Sequence, residues 1–129
     1  MITSVLILAA PNTRANLDAL RACTQHLQRG DKLFRLFFYN DGVYSANPYA
    51  VTPQGEVDCH AAWTALINNH TLDAVVCVAS ASRRGLHDAK GADKLKLPAP
   101  NVLPPFRIAG LGEWADALQA SDQILTFSN

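Results

Sequence analysis

Residues 71–86, TLDAVVCVASASRRGL, form the stretch that decides the fold. The first half, residues 72–79, is a short apolar run rich in β-branched side chains. Such a run is typical of a strand that is buried on both faces of a parallel sheet. The second half becomes polar and cationic, with Arg83 and Arg84 before Gly85. Because ligands of open α/β sheets bind beyond the carboxyl ends of the strands, we expect a functional site at this turn.

Outside this stretch, strand patterns alternate with helix patterns along the whole chain. Further strands are predicted at residues 2–10, 32–39, 106–109 and 124–127, and helices at residues 14–29, 59–70, 87–97 and 112–120. No repeat or boundary divides them. The alternation predicts a single α/β domain over residues 1–129, with a parallel sheet, helices on both faces and flavodoxin-like layering.

The composition is that of an ordinary globular domain. The 129 residues are 49% hydrophobic and 17% charged, so a core can form without disulfides or metal. The formal net charge of +0 argues against a broad nucleic-acid-binding surface. The N-terminal apolar run is too short to span a membrane and lacks the basic region of a signal peptide. The cysteines form no CxxC pair, which is typical of a reducing compartment, and we predict a cytoplasmic protein without membrane contact.

Cys77 is the candidate reactive residue of the decisive stretch. The thiolate is the nucleophilic form of cysteine, and cations such as Arg83 and Arg84 favour it. The alternative is that a cysteine within VVCVA is a small, inert, buried hydrophobe. Cys59 is a rival, because it begins a predicted helix whose positive end favours a thiolate. Cys23 shares an apolar helix face and is predicted to be a core residue.

Two other features of the sequence bear on function. Residues 40–57 form a long irregular connection whose aromatic residues would cover a site or a partner surface; the alternative is a crossover packed on its own side chains. Residues 110–115, GLGEWA, match the loose dinucleotide-binding pattern. They belong to the last βα unit, however, and no acidic residue follows at the ribose-binding distance. The histidines have no zinc-ligand spacing, so we predict neither a metal nor an organic cofactor.

Three stretches resemble the DsrE/TusD family of sulfurtransferase subunits. They are residues 37–47 (FFYNDGVYSAN), 76–85 (VCVASASRRG) and 106–112 (FRIAGLG), in the family's order and spacing. The similarity extends over nearly the whole chain. The middle stretch aligns Cys77 with the cysteine that carries a persulfide in that family, whereas Cys23 and Cys59 fall outside the motifs.

The resemblance implies a small DsrE-like parallel α/β fold and a sulfurtransferase activity without cofactor or metal. Sulfur would be accepted and passed on as a persulfide of Cys77. From their charge and their nearness in sequence, we expect Arg83 and Arg84 to stabilise the anionic sulfur.

The resemblance also implies partners. It predicts a heterohexamer with two related, smaller subunits, small sulfur-carrier proteins as donor and acceptor, and no direct stable nucleic-acid binding. In the TusD branch the sulfur ends as the 2-thio group of the tRNA wobble uridine, and in the DsrE branch it serves dissimilatory sulfur oxidation. A non-catalytic assembly subunit with an idle Cys77 is a further alternative.

Overall fold

The computed structural model describes residues 1–129, and its centre is a five-stranded sheet. The strands are β1 (Ile2–Ile7), β2 (Lys32–Phe38), β3 (Ala74–Cys77), β4 (Phe106–Ala109) and β5 (Gln123–Phe127). They lie in the order β4-β3-β2-β1-β5, and every neighbouring pair is parallel. The predicted parallel α/β fold is therefore confirmed.

Five α-helices and one 3-10 helix connect the strands. They are α1 (Arg14–Gln28), the 3-10 helix (Asn40–Ala46), α2 (Cys59–His70), α3 (Val78–Arg83), α4 (Ala89–Lys94) and α5 (Gly112–Ala120). No helix combines the length and the apolar character that crossing a membrane requires. The helix starts follow from local chemistry: the side chains of Thr13 and Asp58 accept N–H hydrogen bonds at the first turns of α1 and α2. Gly30, with a φ of 86°, follows α1 as the helix-ending glycine.

The two faces of the sheet are covered unequally. Helices α1, α2 and α3 pack on the first face around a cluster of 18 buried residues, whereas α5 packs on the second face over only 3. The connections explain this difference, because β1 to β4 follow one another in one direction across the sheet. Right-handed crossovers then place their helices on one face. The connection from β4 to β5 returns across the sheet and places α5 on the other.

The predicted strand at residues 72–79 is longer than the observed one. Strand β3 ends where Cys77 pairs with Ala109, and the chain turns directly into α3 at Val78. Val78 is 44% exposed, so the apolar run continues past the strand onto a helix surface. The prediction at residues 87–97 was also too long, since α4 has only 6 residues.

The sequence predicted an irregular connection at residues 40–57, but part of it is regular. Its first part is the 3-10 helix, in which Gly42, Val43, Ser45 and Ala46 are buried. Val43, in this helix, is a core residue and not part of an exposed surface. The aromatic residues Tyr44 and Tyr49 are exposed, as the prediction of a covering segment requires.

The 3-10 helix lies directly against the carboxyl end of β1. A Cβ atom on Gly42 would overlap the carbonyl oxygen of Ile7, which also accepts the Tyr39 N–H at 3.0 Å. Below this contact the fully buried Asn16 side chain donates to the carbonyl of Ala9 and to Ser45 Oγ, both at 3.0 Å. The carboxyl edge of the sheet is thus covered by the 3-10 helix, which is held there by the close contact of Gly42 and by the hydrogen-bonded side chain of Asn16.

We predict that Gly42→Ala lowers the free energy of unfolding by about 2 kcal/mol, because the added methyl group must displace backbone in a packed region. Urea denaturation measures the change. Gly112→Ala is the matched control, since Gly112 has open space for a Cβ atom and begins helix α5. Equal stability of Gly42→Ala and the parent protein would contradict the close approach.

Candidate functional site

Cys77 lies at the carboxyl end of β3, at the residue that caps α3. Its side chain belongs to the cluster on the second face, with Phe37 and Val75, and the thiol residue is 1% exposed. The half-buried residues around this cluster are Leu6, Tyr39, Ala109 and Trp114. The structure therefore places the candidate thiol at the predicted edge of the sheet, beneath a thin apolar cover.

Contacts to the 3-10 helix hold α3 in position after Cys77. The backbone N–H of Asn40 donates to Ser80 Oγ at 3.0 Å. Arg84 Nε donates to Asp41 Oδ1 at 3.0 Å, and Arg84 Nη1 donates to the Ser80 carbonyl at 3.1 Å. These bonds fix the direction in which the chain leaves the strand.

The two predicted arginines have different surroundings. Arg84 is engaged with Asp41 and Ser80, which makes it a residue that positions α3. Arg83, at the last residue of α3, is exposed and forms no ion pair. The structure brings neither guanidinium into the apolar cluster that contains Cys77.

A charged cluster holds the start of α5 on the second face. Arg35 Nε donates to Asp73 Oδ2 at 2.7 Å, and its Nη1 donates to the Glu113 carbonyl at 2.8 Å. Arg107 Nε donates to Asp73 Oδ1 at 2.7 Å. Arg35 lies on β2, Arg107 on β4 and Glu113 on α5, and Asp73 immediately precedes β3. Because these positions are distant in sequence, no local pattern indicated the cluster, and it was not predicted. The adjacent Trp114 packs on Phe37 with ring centroids 5.6 Å apart, so the cluster also positions the cover of Cys77.

The rival thiol, Cys59, is the first residue of α2 and is 2% exposed. Its sulfur accepts the N–H of Asn12 at 3.2 Å and lies 3.6 Å from Asn12 Oδ1. It lies beside a small cavity of about 20 Å³. His60 does not form a dyad with it, because His60 Nδ1 bonds the carbonyl of Ser45 at 3.1 Å. Cys59 is thus a helix-terminal thiol with hydrogen-bond partners but with little open space around it.

Cys23 is a core residue, as predicted. It is fully buried in the first-face cluster, and this burial raises the pKa of its thiol to about 12. A thiol with so high a pKa is almost entirely protonated near neutral pH and is a poor nucleophile.

The structure shows an α/β protein in which a thiol residue is enclosed at the carboxyl edge of a parallel sheet. The sequence matches the DsrE/DsrF-like family over residues 2–127. The chain belongs to this family. The sequence-based recognition of that family is confirmed.

Relatives of known name are similar over most of the chain. A sulfurtransferase TusD homolog from Pseudomonas aeruginosa is 39% identical over 124 residues, covering 96% of this chain and 95% of the relative. A putative sulfurtransferase DsrE from Allochromatium vinosum is 38% identical over 116 residues, covering 90% and 89%. The crystal structure of the ychN protein from E. coli shares the fold, with a TM-score of 0.74 at 20% identity and coverage of 98% and 97%. The similarity to the two named sulfurtransferases supports a role in sulfur transfer, whereas the ychN structure shows the fold.

We predict that the charged cluster makes the free energy of unfolding depend on pH in the acid range. The hydrogen bond from Arg107, and then that from Arg35, lower the pKa of Asp73 below its ordinary value. Because the folded-state pKa is depressed, Asp73 contributes its full stabilisation above the unfolded-state pKa and loses it as the pH falls through the folded-state pKa. Asp73→Asn should therefore reduce stability at pH 7 and flatten the loss of stability between about pH 5 and pH 2.

Urea denaturation at several pH values measures this dependence. Asp116→Asn is the control, because Asp116 lies exposed on α5 and forms no ion pair. The interpretation fails if Asp73→Asn shows the same slope of unfolding free energy against pH as Asp116→Asn.

Proposed function

We propose that this chain is a sulfurtransferase subunit that accepts and passes on persulfide sulfur through Cys77. The observation that carries the proposal is the location of Cys77 at the carboxyl end of β3, in a chain that matches the family over residues 2–127. Burial of Cys23 disfavours the thiolate that the reaction needs. Cys59 lies outside the family motifs and is hydrogen-bonded to Asn12.

The chemistry requires only a thiolate and a persulfide. The Cys77 thiolate attacks the outer sulfur of a donor R–S–S–H, forming a new S–S bond as the donor's S–S bond breaks. The donor thiolate leaves with the electron pair, and the proton stays on the transferred sulfur. A second thiolate then removes that sulfur from Cys77 by the same exchange. No redox partner, metal or organic cofactor takes part.

The arginines have separate roles in this proposal. Arg84 positions α3 through Asp41, so it acts on the site through the fold. Arg83 is exposed without an ion pair and is therefore the cation available to an anionic group on a partner. Stabilisation of the anionic sulfur, expected of both from the sequence, is not part of this proposal, because neither guanidinium enters the apolar cluster that contains Cys77.

We predict that Cys77→Ser abolishes sulfur loading, because it removes the nucleophile. The protein is incubated with a persulfide donor, and the added sulfur is located by mass spectrometry of peptides. Cys23→Ser and Cys59→Ser are the matched controls and should retain loading and transfer. Persistent transfer by Cys77→Ser, or its loss in a folded Cys59→Ser, would overturn the assignment and favour Cys59. Absence of sulfur on every cysteine would favour a non-catalytic assembly subunit.

The sulfur is proposed to reach the 2-thio group of the tRNA wobble uridine, through small cytoplasmic carrier proteins and without direct stable binding of tRNA. Similarity to relatives named sulfurtransferase TusD supports this destination. The 38% identity to a putative sulfurtransferase DsrE supports dissimilatory sulfur oxidation as the second candidate. Deleting the gene and measuring 2-thiouridine in tRNA separates the two, because only the first candidate predicts its loss.

The proposed assembly is a heterohexamer with two related, smaller subunits. Exposed Tyr44, Tyr49 and Leu111 offer apolar surface for such contacts. We predict that co-expression with the two paralogues yields one complex containing three kinds of chain, measured by native mass spectrometry. A strictly monomeric chain in both the presence and the absence of the paralogues would contradict the assembly.

A further inference from the structure

Few polar side-chain atoms lie near the Cys77 thiol. Its cluster contains Phe37 and Val75 besides Cys77, and the half-buried residues packed against it are Leu6, Tyr39, Ala109 and Trp114. Apart from the thiol itself, this set carries two hydrogen-bond donors, the hydroxyl of Tyr39 and the indole Nε1–H of Trp114. A sulfur anion formed here loses hydration, so it needs one of these two donors as its partner.

Neither of the two donors has a partner within the protein. Of the three tyrosine hydroxyls, only that of Tyr49 donates a hydrogen bond inside the chain, to the Pro100 carbonyl at 3.4 Å. Of the two tryptophans, only Trp63 does so, to Asn16 Oδ1 at 3.0 Å. The hydrogens of Tyr39 and Trp114 are therefore available to a group that the unloaded protein does not contain.

The strand register selects Tyr39 as the donor beside Cys77. Strands β2 and β3 pair Phe38 with Val76, so the residues that follow, Tyr39 and Cys77, are neighbours on adjacent strands about 5 Å apart. The side chains of both lie on the second face. Trp114 instead packs on Phe37, which pairs with Val75 and thus lies one row of side chains below Cys77.

No unpaired cation is among the side chains that surround Cys77. The charged residues on this face are two cations and two anions that pair with one another, namely Arg35, Asp73, Arg107 and Glu113. On the elements next to Cys77, Lys32, Arg83 and Asp116 are exposed, Arg84 is bound to Asp41, and β1 carries no titratable side chain. A hydrogen bond is therefore the available means of stabilising a sulfur anion at this site.

We propose that Tyr39 is a further catalytic residue, whose hydroxyl donates a hydrogen bond to the outer sulfur of the Cys77 persulfide in its anionic form. The proposal rests on the proposed function, since it concerns the same thiol. Loading by a donor R–S–S–H leaves Cys77 as –S–S–H, and the outer sulfur then releases its proton to water. The proton returns to this sulfur before the next thiolate removes it.

The reach of the two side chains fits this bond. The added S–S bond extends the cysteine by about 2 Å from its strand, in the direction in which the Tyr39 ring also extends. Tyr39 lines an open space of about 170 Å³ on this face, which gives the added sulfur room. Because the bond exists only in the loaded protein, it stabilises the loaded form relative to the unloaded form.

The equilibrium of sulfur between Cys77 and glutathione measures this stabilisation. The Cys77 thiolate takes the outer sulfur of glutathione persulfide, and the glutathione thiolate leaves with the electron pair. Iodoacetamide then traps all thiols and persulfides, and mass spectrometry of peptides gives the loaded fraction of Cys77. The equilibrium constant is the ratio of loaded to unloaded Cys77 divided by the ratio of glutathione persulfide to glutathione.

We expect Tyr39→Phe, which keeps the ring and removes the hydroxyl, to lower this constant about tenfold at about pH 8, the effect of one hydrogen bond to a charged group. The difference should shrink as the pH falls, because protonation of the persulfide removes the charge that the hydroxyl stabilises. Tyr44→Phe is the matched control, since Tyr44 is 36% exposed on the 3-10 helix and outside the cluster. Its constant should equal that of the parent protein. Unfolding midpoints establish that the variants are folded.

An unchanged constant in Tyr39→Phe, or a decrease that is the same at every pH, would overturn the role of Tyr39. Trp114→Phe tests the other donor: a decrease there without one in Tyr39→Phe assigns the hydrogen bond to Trp114 and refutes the proposal. Loading of the parent protein with no effect of Tyr39→Phe refutes this inference alone. Absence of loading at Cys77 in the parent protein refutes the proposed function together with it.

Discussion

The contact between Gly42 and the carbonyl of Ile7 is the constraint on which the site depends. After β2 the chain passes so close over the end of β1 that a side chain at position 42 has no room. This passage puts the 3-10 helix where Asn40 and Asp41 bind α3 through Ser80 and Arg84. The direction of α3, and with it the end of β3 at Cys77, follows from that glycine.

A buried polar junction supports the same edge from within. Asn16 receives the Trp63 Nε1–H at 3.0 Å while it donates to Ala9 and Ser45, so α1, α2 and the 3-10 helix are joined through one side chain. Each partner would lose its bond in water-free surroundings if Asn16 were replaced by an apolar residue. The helices of the first face are therefore held both by apolar packing and by the hydrogen bonds of Asn16.

The second face is held differently. A helix of 9 residues covers it, and its start is fixed by ion pairs whose members are 11% to 43% exposed. Pairs with that much exposure contribute less than buried apolar packing does. Local opening of α5 consequently requires less free energy than opening of the first face, and it is α5 that covers Cys77. Opening of α5 is therefore the local motion that would expose Cys77, which is 1% exposed in the closed structure.

Much of the fold was predictable, because the strands and the longer helices carry strong local patterns. The start of α2 at Cys59 follows directly from the capping side chain of Asp58. The bounds of α5 were also predicted, although its cap residue Leu111 forms no side-chain hydrogen bond. Helix α3 was not predictable, because Val78 and Ala79 continue an apolar run and only the end of pairing at Cys77 makes them helical.

The position of Cys77 at the edge of the sheet was predicted, but its surroundings were not. The side chains around Cys77 on the second face come from β2 and α5, which are distant from it in sequence. Arg84, which is near Cys77 in sequence, is instead bound to Asp41. Asn16 was missed for a related reason: the leucines of α1 carry the helix periodicity, while the buried residues of the helix include the polar Asn16. Nearness in sequence therefore indicated the place of Cys77 in the sheet correctly and its neighbours incorrectly.

The most direct test is a crystal structure of the protein after loading with a persulfide donor. We expect one additional sulfur atom bonded to Cys77 Sγ, on the α5 side of the sheet and close to Tyr39 and Trp114. Additional sulfur on Cys59, or on Cys77 but directed towards α3 and Arg83, would contradict the proposed geometry of the site.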